Sequence, residues 1–142
     1  MKCPGFCGDV SMVDFAKDDP PVLVTTGFSV NGKPIVAKVD MLYTGTMVIY
    51  PAAIAKLDLQ VQSGVNATQF FPYTDGVVEM REGRAKTEAF GSKAIGHNAA
   101  LFFALPPMPA SDGSLDAAVG AGLLTGHVVS IDLHSKHLWM TN

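Results

Sequence analysis

The sequence predicts a mainly β fold with one or two short helices, arranged as a barrel or a sandwich. Short segments alternate apolar and polar residues at a period of two, which is the pattern of half-buried strands. Turn residues separate these segments, most clearly at Asn31-Gly32. Only the segments 52–57 and 116–124 have the composition of short helices. Strands therefore account for most of the predicted structure.

The size and composition of the chain are those of one folded domain. Of its 142 residues, 48% are hydrophobic and 16% are charged, so it can bury a core. We place this domain at residues 21–142, after an N-terminal lead-in at 1–20 that lacks periodicity. A net charge of −3 gives no electrostatic footprint for nucleic acid. No apolar run approaches the roughly 18 residues of a membrane helix, so no membrane span is expected.

Both cysteines lie in the lead-in. Cys3 and Cys7 enclose a Pro-Gly pair, and the first histidine is His97, so a four-ligand zinc site is only weakly indicated. A local Cys3–Cys7 disulfide is favoured over free thiols. Such a bond predicts an oxidising compartment. The N-terminus has no apolar leader, and we expect a periplasmic or secreted protein whose leader has been removed.

The first half of the domain is predicted as paired strands that lead to one acidic residue. Residues 22–30 alternate as a strand, Asn31-Gly32 forms a tight hairpin turn, and residues 35–39 alternate back toward Asp40. A short apolar strand follows at 47–50. Asp40 therefore lies where an apolar strand meets an irregular loop, a common place for catalytic or binding groups.

The second half is predicted as strands and hairpins around one helix. In order, its segments are a loop or irregular strand at 60–74, a hairpin at 77–90, a strand at 97–105, a proline-rich loop at 106–114, a helix at 116–124 and a hairpin at 127–141. The 77–90 hairpin has its charged tip at Arg81-Glu82-Gly83-Arg84, which suits a solvated turn. The whole chain then has seven or eight short strands.

Three stretches in this order resemble the retropepsin-like aspartic proteases. The first is VNGKPIVAKVD followed by TGTMVIYP, similar to the family's Asn-Gly turn, strand, catalytic Asp-Thr-Gly and apolar strand. The second is the charged-tip hairpin at 77–90, which stands where the family has its flap. The third is GAGLLTGHVVSIDLHSKHLWM, similar to the family's Gly-x-x-Leu-Leu helix and closing strands. The resemblance covers roughly residues 22–141 and implies the closed β-barrel of the acid proteases.

The resemblance implies a catalytic role for Asp40, with Thr44 and Gly45 at the family's Thr-Gly positions. In the family, Thr or Ser follows the aspartate directly, whereas here Met41-Leu42-Tyr43 stands between them. Some bacterial members of the wider superfamily have a similar Asp-x-x-x-Thr-Gly form. The implied chemistry uses two carboxylates about 3 Å apart that share a proton and activate water, without metal or cofactor. One such loop per chain implies a homodimer, with Asp40 of each subunit on the two-fold axis.

The residues alone leave other interpretations open. Asp40 is also explained as an exposed acid that caps a turn through its side chain. Tyr43 either packs the loop or brings a polar group into the site, and packing is favoured. Asp132 is favoured as a turn-capping residue, and metal binding by His127, His134 and His137 is only weakly indicated.

Two functions follow from these interpretations. One is an aspartic peptidase that hydrolyses peptide bonds. The other is an inactive module of the same fold that binds a peptide or protein in the cell envelope. A small β-barrel with an unrelated ligand is a weaker third alternative.

Overall fold

A computed structural model describes residues 6–13, 22–57, 59, 61–70, 77–104 and 115–141. They form a mainly β structure with two short helices. The strands are β1 Phe6–Val13, β2 Val22–Thr25, β3 Phe28–Val30, β4 Lys33–Pro34, β5 Ala37–Asp40, β6 Met47–Ile49, β7 Val61–Phe70, β8 Val77–Phe90, β9 Lys93–Ala104, β10 Ala117–Gly120, β11 Val128–Asp132 and β12 His137–Thr141. The helices are α1 Pro51–Lys56 and α2 Ala121–Leu124.

One sheet joins the strands of this described part in the order β11-β12-β1-β2-β5-β10-β6-β9-β8-β3-β4, and β7 pairs with β8 outside this path. Strand β10 lies between β5 and β6, parallel to β5 and antiparallel to β6. The connection from β5 to β6 therefore has to cross the end of β10. Within the described ranges no pairing joins β11 to β4, so closure into a barrel stays a prediction.

The predicted Asn31-Gly32 hairpin is confirmed. Both residues have positive φ angles, 51° and 79°, as a two-residue hairpin turn of this kind requires. The turn also docks on β8, because Asn31 Oδ1 accepts the backbone N–H groups of Lys86 at 2.8 Å and Thr87 at 3.2 Å. One side chain thus joins the end of the β3–β4 hairpin to the long β8 strand.

The strand predicted at 22–30 is divided into β2 and β3 at a corner. Thr25 Oγ1 accepts the N–H of Gly27 at 3.2 Å, which stabilises the bend. A Cβ on Gly27 would lie 2.5 Å from the Phe90 ring and 2.9 Å from the Cα of Gly8. The corner therefore needs glycine, because β1 and the Phe90 side chain both press against it.

The hairpin predicted over 77–90 is wrong. Residues Val77–Phe90 form one continuous strand, and the charged tetrapeptide lies in its middle, where Arg81 pairs with Phe103 of β9. Gly83 does not form a turn. It leaves room for the Phe103 ring, which a Cβ at this position would overlap. The turn that follows β8 begins at Gly91, whose φ is 60°.

The helix predicted at 116–124 is also wrong in its first half. Ala117–Gly120 form the fully buried strand β10, and only Ala121–Leu124 are helical. A central strand buried on both faces has no alternating pattern, and its small residues have helix-favouring composition. The sequence signal for this strand was therefore hidden.

Other segments agree with the predictions at the level of element type. Of the loop or irregular strand predicted at 60–74, residues 61–70 form β7, which changes register against β8 between Val61 and Asn66. Residues 97–104 of the strand predicted at 97–105 belong to β9, and the terminal hairpin is β11–β12. Residues 6–13, inside the predicted lead-in, form β1, which pairs with β2 and β12. The predicted loop at 106–114 lies outside the described residues.

Among the described residues, the core consists of two clusters on opposite faces of the sheet. Successive residues of a strand face opposite sides, so Val119 packs in the larger cluster and Ala118 in the smaller one. The larger cluster contains the Phe28–Phe90 ring pair, with centroids 4.8 Å apart. The smaller cluster consists of Val24, Val48, Tyr50, Met80, Leu115 and Ala118, and Tyr43, Val36 and Val22 pack against it.

Asp116 fastens the entry of β10 to its neighbours. Its carboxylate Oδ2 accepts the N–H of Val36 at 2.8 Å and the Lys56 ammonium at 2.7 Å. Its carbonyl accepts the N–H of Tyr50 at 2.9 Å. A single residue thus holds the start of β10 against the segments that precede β5 and follow β6.

Glu88 is a carboxylic acid buried within the sheet. It is 1% exposed and stands opposite Val30 of β3 and Gly96 of β9. Neither of its carboxyl oxygens has a hydrogen-bond partner among the described residues. Burial raises the pKa of Glu88 from 4.5 to about 7, because the charged form loses its hydration.

The folded chain binds this proton more tightly than the unfolded chain does. The free energy of unfolding should therefore fall as the pH rises from 4.5 to about 7, and the loss should be complete above that range. Its expected size is of the order of 3 kcal/mol, at about 1.4 kcal/mol for each pH unit.

Glu88→Gln stays neutral and should remove this part of the pH dependence. Urea unfolding of both proteins below pH 4.5 and above pH 7 measures it. Glu82→Gln, on the same strand but only half-buried, is the matched control and should keep the wild-type profile. Equal pH profiles for wild type and Glu88→Gln would contradict the assignment.

Candidate active site

Asp40 is the last residue of β5 and lies beside the last residue of β10. Its Cα partner across the parallel pair is Gly120. The residue is half-buried, and it shares a face of β5 with Lys38, two positions earlier. Lys38 is buried, with its ammonium 6.0 Å from the centre of the Tyr50 ring. Asp40 therefore lies at the edge of the sheet where β5 and β10 both end, on the face that carries the smaller core cluster.

The residues after Asp40 form a tight turn that the aspartate itself caps. The N–H of Tyr43 donates to the Asp40 carbonyl at 3.2 Å, and the N–H of Leu42 donates to Asp40 Oδ1 at 3.0 Å. Aspartate is favoured at the first position of such turns for this reason. The turn-capping bond expected from the residues alone is thus present. Met41 and Leu42 form the tip of the turn and are 57% and 69% exposed.

Tyr43 points in the opposite direction from the tip. Its ring packs against the smaller core cluster. A Cβ added to Gly45 would lie 2.3 Å from the Tyr43 hydroxyl, and one added to Gly120 would lie 2.4 Å from the ring. The ring therefore fills the space between these two glycines, as the packing interpretation of Tyr43 expected.

Backbone hydrogen bonds fasten the rest of the loop to β10 and α2. The N–H of Gly120 donates to the carbonyl of Thr46 at 2.9 Å, and the N–H of Ala121 donates to that of Tyr43 at 2.8 Å. The N–H of Gly122 donates to the Gly45 carbonyl at 3.0 Å. The first N–H groups of a helix have no partner within the helix, so the crossing loop supplies partners for them.

The site residues predicted from the sequence are therefore close in the chain but differ in solvent exposure. Asp40 and Gly45 are half-buried, whereas Thr44 is exposed. Gly120 and Gly122 were not predicted to support the site. A Cβ on Gly122 would lie 2.6 Å from the Thr44 carbonyl, and one on Gly120 would lie 2.3 Å from the Gly45 carbonyl. The sequence signal that could have identified these two glycines is the Gly-x-Gly pattern that follows the small apolar residues 117–119.

The other polar candidates lie away from this loop. Asp132 caps the β11–β12 turn by accepting the N–H of His134 at 2.9 Å and the Ser135 hydroxyl at 2.6 Å. The Ser135 hydrogen bonds lower the pKa of Asp132. This is the structural role that the sequence favoured. In the part of the chain that the structure describes, no three His, Cys, Asp or Glu side chains lie close enough to hold a metal ion.

The predicted Cys3–Cys7 disulfide falls outside the described residues. Residue 3 and the side chain of residue 7 are not among them. In the described ranges, no helix has the length and hydropathy to span a membrane.

Comparison by sequence with family profiles and with characterised proteins gives no match. A solved structure, described as a retropepsin-like aspartic protease from Rickettsia conorii, is similar over 97% of this chain and 93% of that chain, with a TM-score of 0.55 and 14% identity. At this identity the likeness shows the fold alone. The chain has a retropepsin-like fold.

The fold expected from the three resembling stretches is confirmed at this level, as a mainly β structure with two short helices. The roles of Asp40, Thr44 and Gly45, the effect of the altered loop and the homodimer stay predictions. The prediction of a charged-tip flap at 77–90 is wrong, because those residues form one strand.

Substituting Gly120 or Gly122 by alanine should destabilise the crossing loop. The added methyl group would meet backbone atoms of Gly45 and Thr44, which cannot move without breaking the loop's hydrogen bonds. Each change should cost about 3 kcal/mol or more of unfolding free energy, at the upper end of overpacking effects. Thermal or urea unfolding measures the loss.

Gly126→Asn is the control for this experiment. Nothing lies within 4 Å of a Cβ at Gly126, and its φ of 88° is one that asparagine adopts more readily than other side chains. It should change stability by much less. Wild-type stability in Gly120→Ala would show that the loop is not packed as described.

Proposed function

We propose that the protein is a retropepsin-like aspartic peptidase that hydrolyses peptide bonds as a homodimer. The observation that carries the proposal is the position of Asp40. It ends a central strand beside β10 and begins a loop that is bonded to the start of α2, in a fold similar to that of a retropepsin-like aspartic protease. Nothing else in the described loop, residues 41–46, is acidic or basic.

The proposed chemistry needs two Asp40 carboxylates, one from each subunit. At about 3 Å apart they share one proton, because two adjacent charges are not stable together. The ionised carboxylate takes a proton from water, whose oxygen bonds to the peptide carbonyl carbon. The protonated carboxyl gives its proton to the carbonyl oxygen. When the C–N bond breaks, the proton taken from water passes to the leaving nitrogen, and a hydroxyl of the intermediate returns its proton to the other carboxylate. The shared proton is thus restored, and no metal or covalent intermediate is required.

The remaining parts of the proposal follow from the resemblance. The substrate is a peptide or protein, and Thr44 and Gly45 shape the loop around the paired carboxylates. The sheet closes into a barrel. The protein is located in the periplasm or outside the cell, where Cys3 is joined to Cys7. Mass spectrometry of the unreduced protein tests the disulfide, which should lower the mass of the chain by two hydrogen atoms.

One observation favours the second candidate, an inactive module of the same fold that binds a peptide or protein. Asp40 Oδ1 already accepts the Leu42 N–H, so the carboxylate has a structural task in the turn. Under this alternative Asp40 stabilises the loop, and the face of the sheet that carries Asp40 binds a peptide or protein without cleaving it. The two candidates differ in what removal of the charge does.

Asp40→Asn should strongly reduce peptide cleavage. Asparagine can still accept the Leu42 N–H through its side-chain oxygen, so the turn is kept while the acid–base group is lost. The expected fall in kcat/KM is about 10²- to 10⁴-fold, the usual contribution of such a group. Cleavage of a peptide library between acid and neutral pH, with and without pepstatin, measures it.

Asp132→Asn is the matched control, since Asp132 also caps a turn through a backbone N–H two residues on. It should cleave as wild type does. Absence of cleavage by the wild-type protein on every peptide, together with retained peptide binding, would reject the peptidase and leave the binding module.

A further inference from the structure

We propose that Met41 and Leu42 form an apolar contact with the same turn of a second copy of this chain, beside the paired Asp40 residues. The inference rests on the proposed function, since it is the shared site that brings the second copy to this loop. It assigns a role to the inserted residues, which the chemistry of the aspartates does not use.

The tip of the turn is exposed to solvent. Among the described residues, the large apolar side chains left exposed are Met41, Leu42, Val128, Ile131 and Leu133. Of these, Met41 and Leu42 adjoin the candidate site, at 57% and 69% exposed. Contact with another apolar surface would remove both side chains from water, which is favourable.

The tip of the turn points away from the core. Met41 and Leu42 cannot fold inward, because the space under the loop is filled by Tyr43 between Gly45 and Gly120. The backbone after the tip is held by the Tyr43 and Gly45 carbonyls, which accept N–H groups of α2. The exposed position of the tip is therefore built into the fold.

The short distance between Leu42 and Asp40 favours a second copy of this chain as the partner. The N–H of Leu42 lies 3.0 Å from Asp40 Oδ1. If two Asp40 carboxylates approach to about 3 Å, the two Leu42 nitrogens can be no more than roughly 13 Å apart. Leucine and methionine side chains reach across half of such a gap. A dimer that completes the site therefore brings the two tips together.

The chemistry of the tip suits contact with a copy of itself. Between Asp40 and Met47 the loop has no charged side chain, so two loops can meet without repulsion beyond the proton-sharing pair. Methionine adapts its shape to an apolar partner. A symmetric interface requires such self-complementary patches.

Leu42→Glu should weaken the dimer. It removes one apolar contact from each subunit and places two like charges near the axis. The dissociation constant of the dimer should rise about 100-fold or more. Sedimentation equilibrium of wild type and variant measures it. Ala55→Glu, which adds the same charge at an exposed position of α1, is the control and should leave the constant unchanged.

A cross-link tests proximity without relying on affinity. Leu42→Cys, in a variant whose Cys3 and Cys7 are serine, should be joined to its counterpart by a bismaleimide that spans roughly 13 Å. The same reagent should not join Ala55→Cys. Both cysteine variants are compared by circular dichroism with wild type, so that a folding defect is recognised.

The outcomes separate this inference from the proposed function. Cross-linking at Leu42 and a weakened Leu42→Glu dimer, without peptidase activity in wild type, would keep the contact and reject the peptidase. An active wild-type dimer whose Leu42→Glu variant dimerises normally and alters only cleavage specificity would assign the turn to substrate and overturn the inference. A wild-type protein that stays monomeric at all concentrations would also overturn it.

Discussion

The insertion of β10 between β5 and β6 is the constraint on which the rest of this structure depends. Because β5 and β6 are consecutive in the chain but not neighbours in the sheet, their connection must pass over the end of β10. Adjacent strands lie about 4.8 Å apart, so the crossing spans about 10 Å. The candidate aspartate is at one end of this crossing, and the glycines of β10 and α2 lie directly beneath it.

The crossing also explains how the chain accommodates residues between Asp40 and Thr44-Gly45. The hydrogen bonds to α2 and β10 come from the carbonyls of Tyr43, Gly45 and Thr46. The tip of the turn, Met41-Leu42, takes no part in them. The Met41-Leu42 tip therefore lies outside the packed part of the loop, while Tyr43 returns the chain to the core.

Much of the fold class could be predicted from the sequence, because local signals identify hairpins. Asn31-Gly32 specifies its turn through backbone angles that few other pairs adopt. The β10 strand could not be found this way, because its neighbours are supplied by distant segments and its small buried residues carry no period. The middle of β8 was misread for a related reason: its charges suggested a tip, whereas Gly83 makes room for Phe103. For the candidate site, Asp40 and the glycine turn were predictable from pattern, but the supporting role of Gly120 and Gly122 depends on contacts across 75 or more residues of chain.

The two ends of the strand order differ in a way that bears on solubility. At one end, β4 is only two residues long, and Lys33 and Pro34 leave little for another chain to pair with. At the other end, β11 is five residues long and exposes Val128 and Ile131. Among the described strands, β11 is therefore where we expect unwanted association at high concentration to begin, and introducing a lysine there should reduce it.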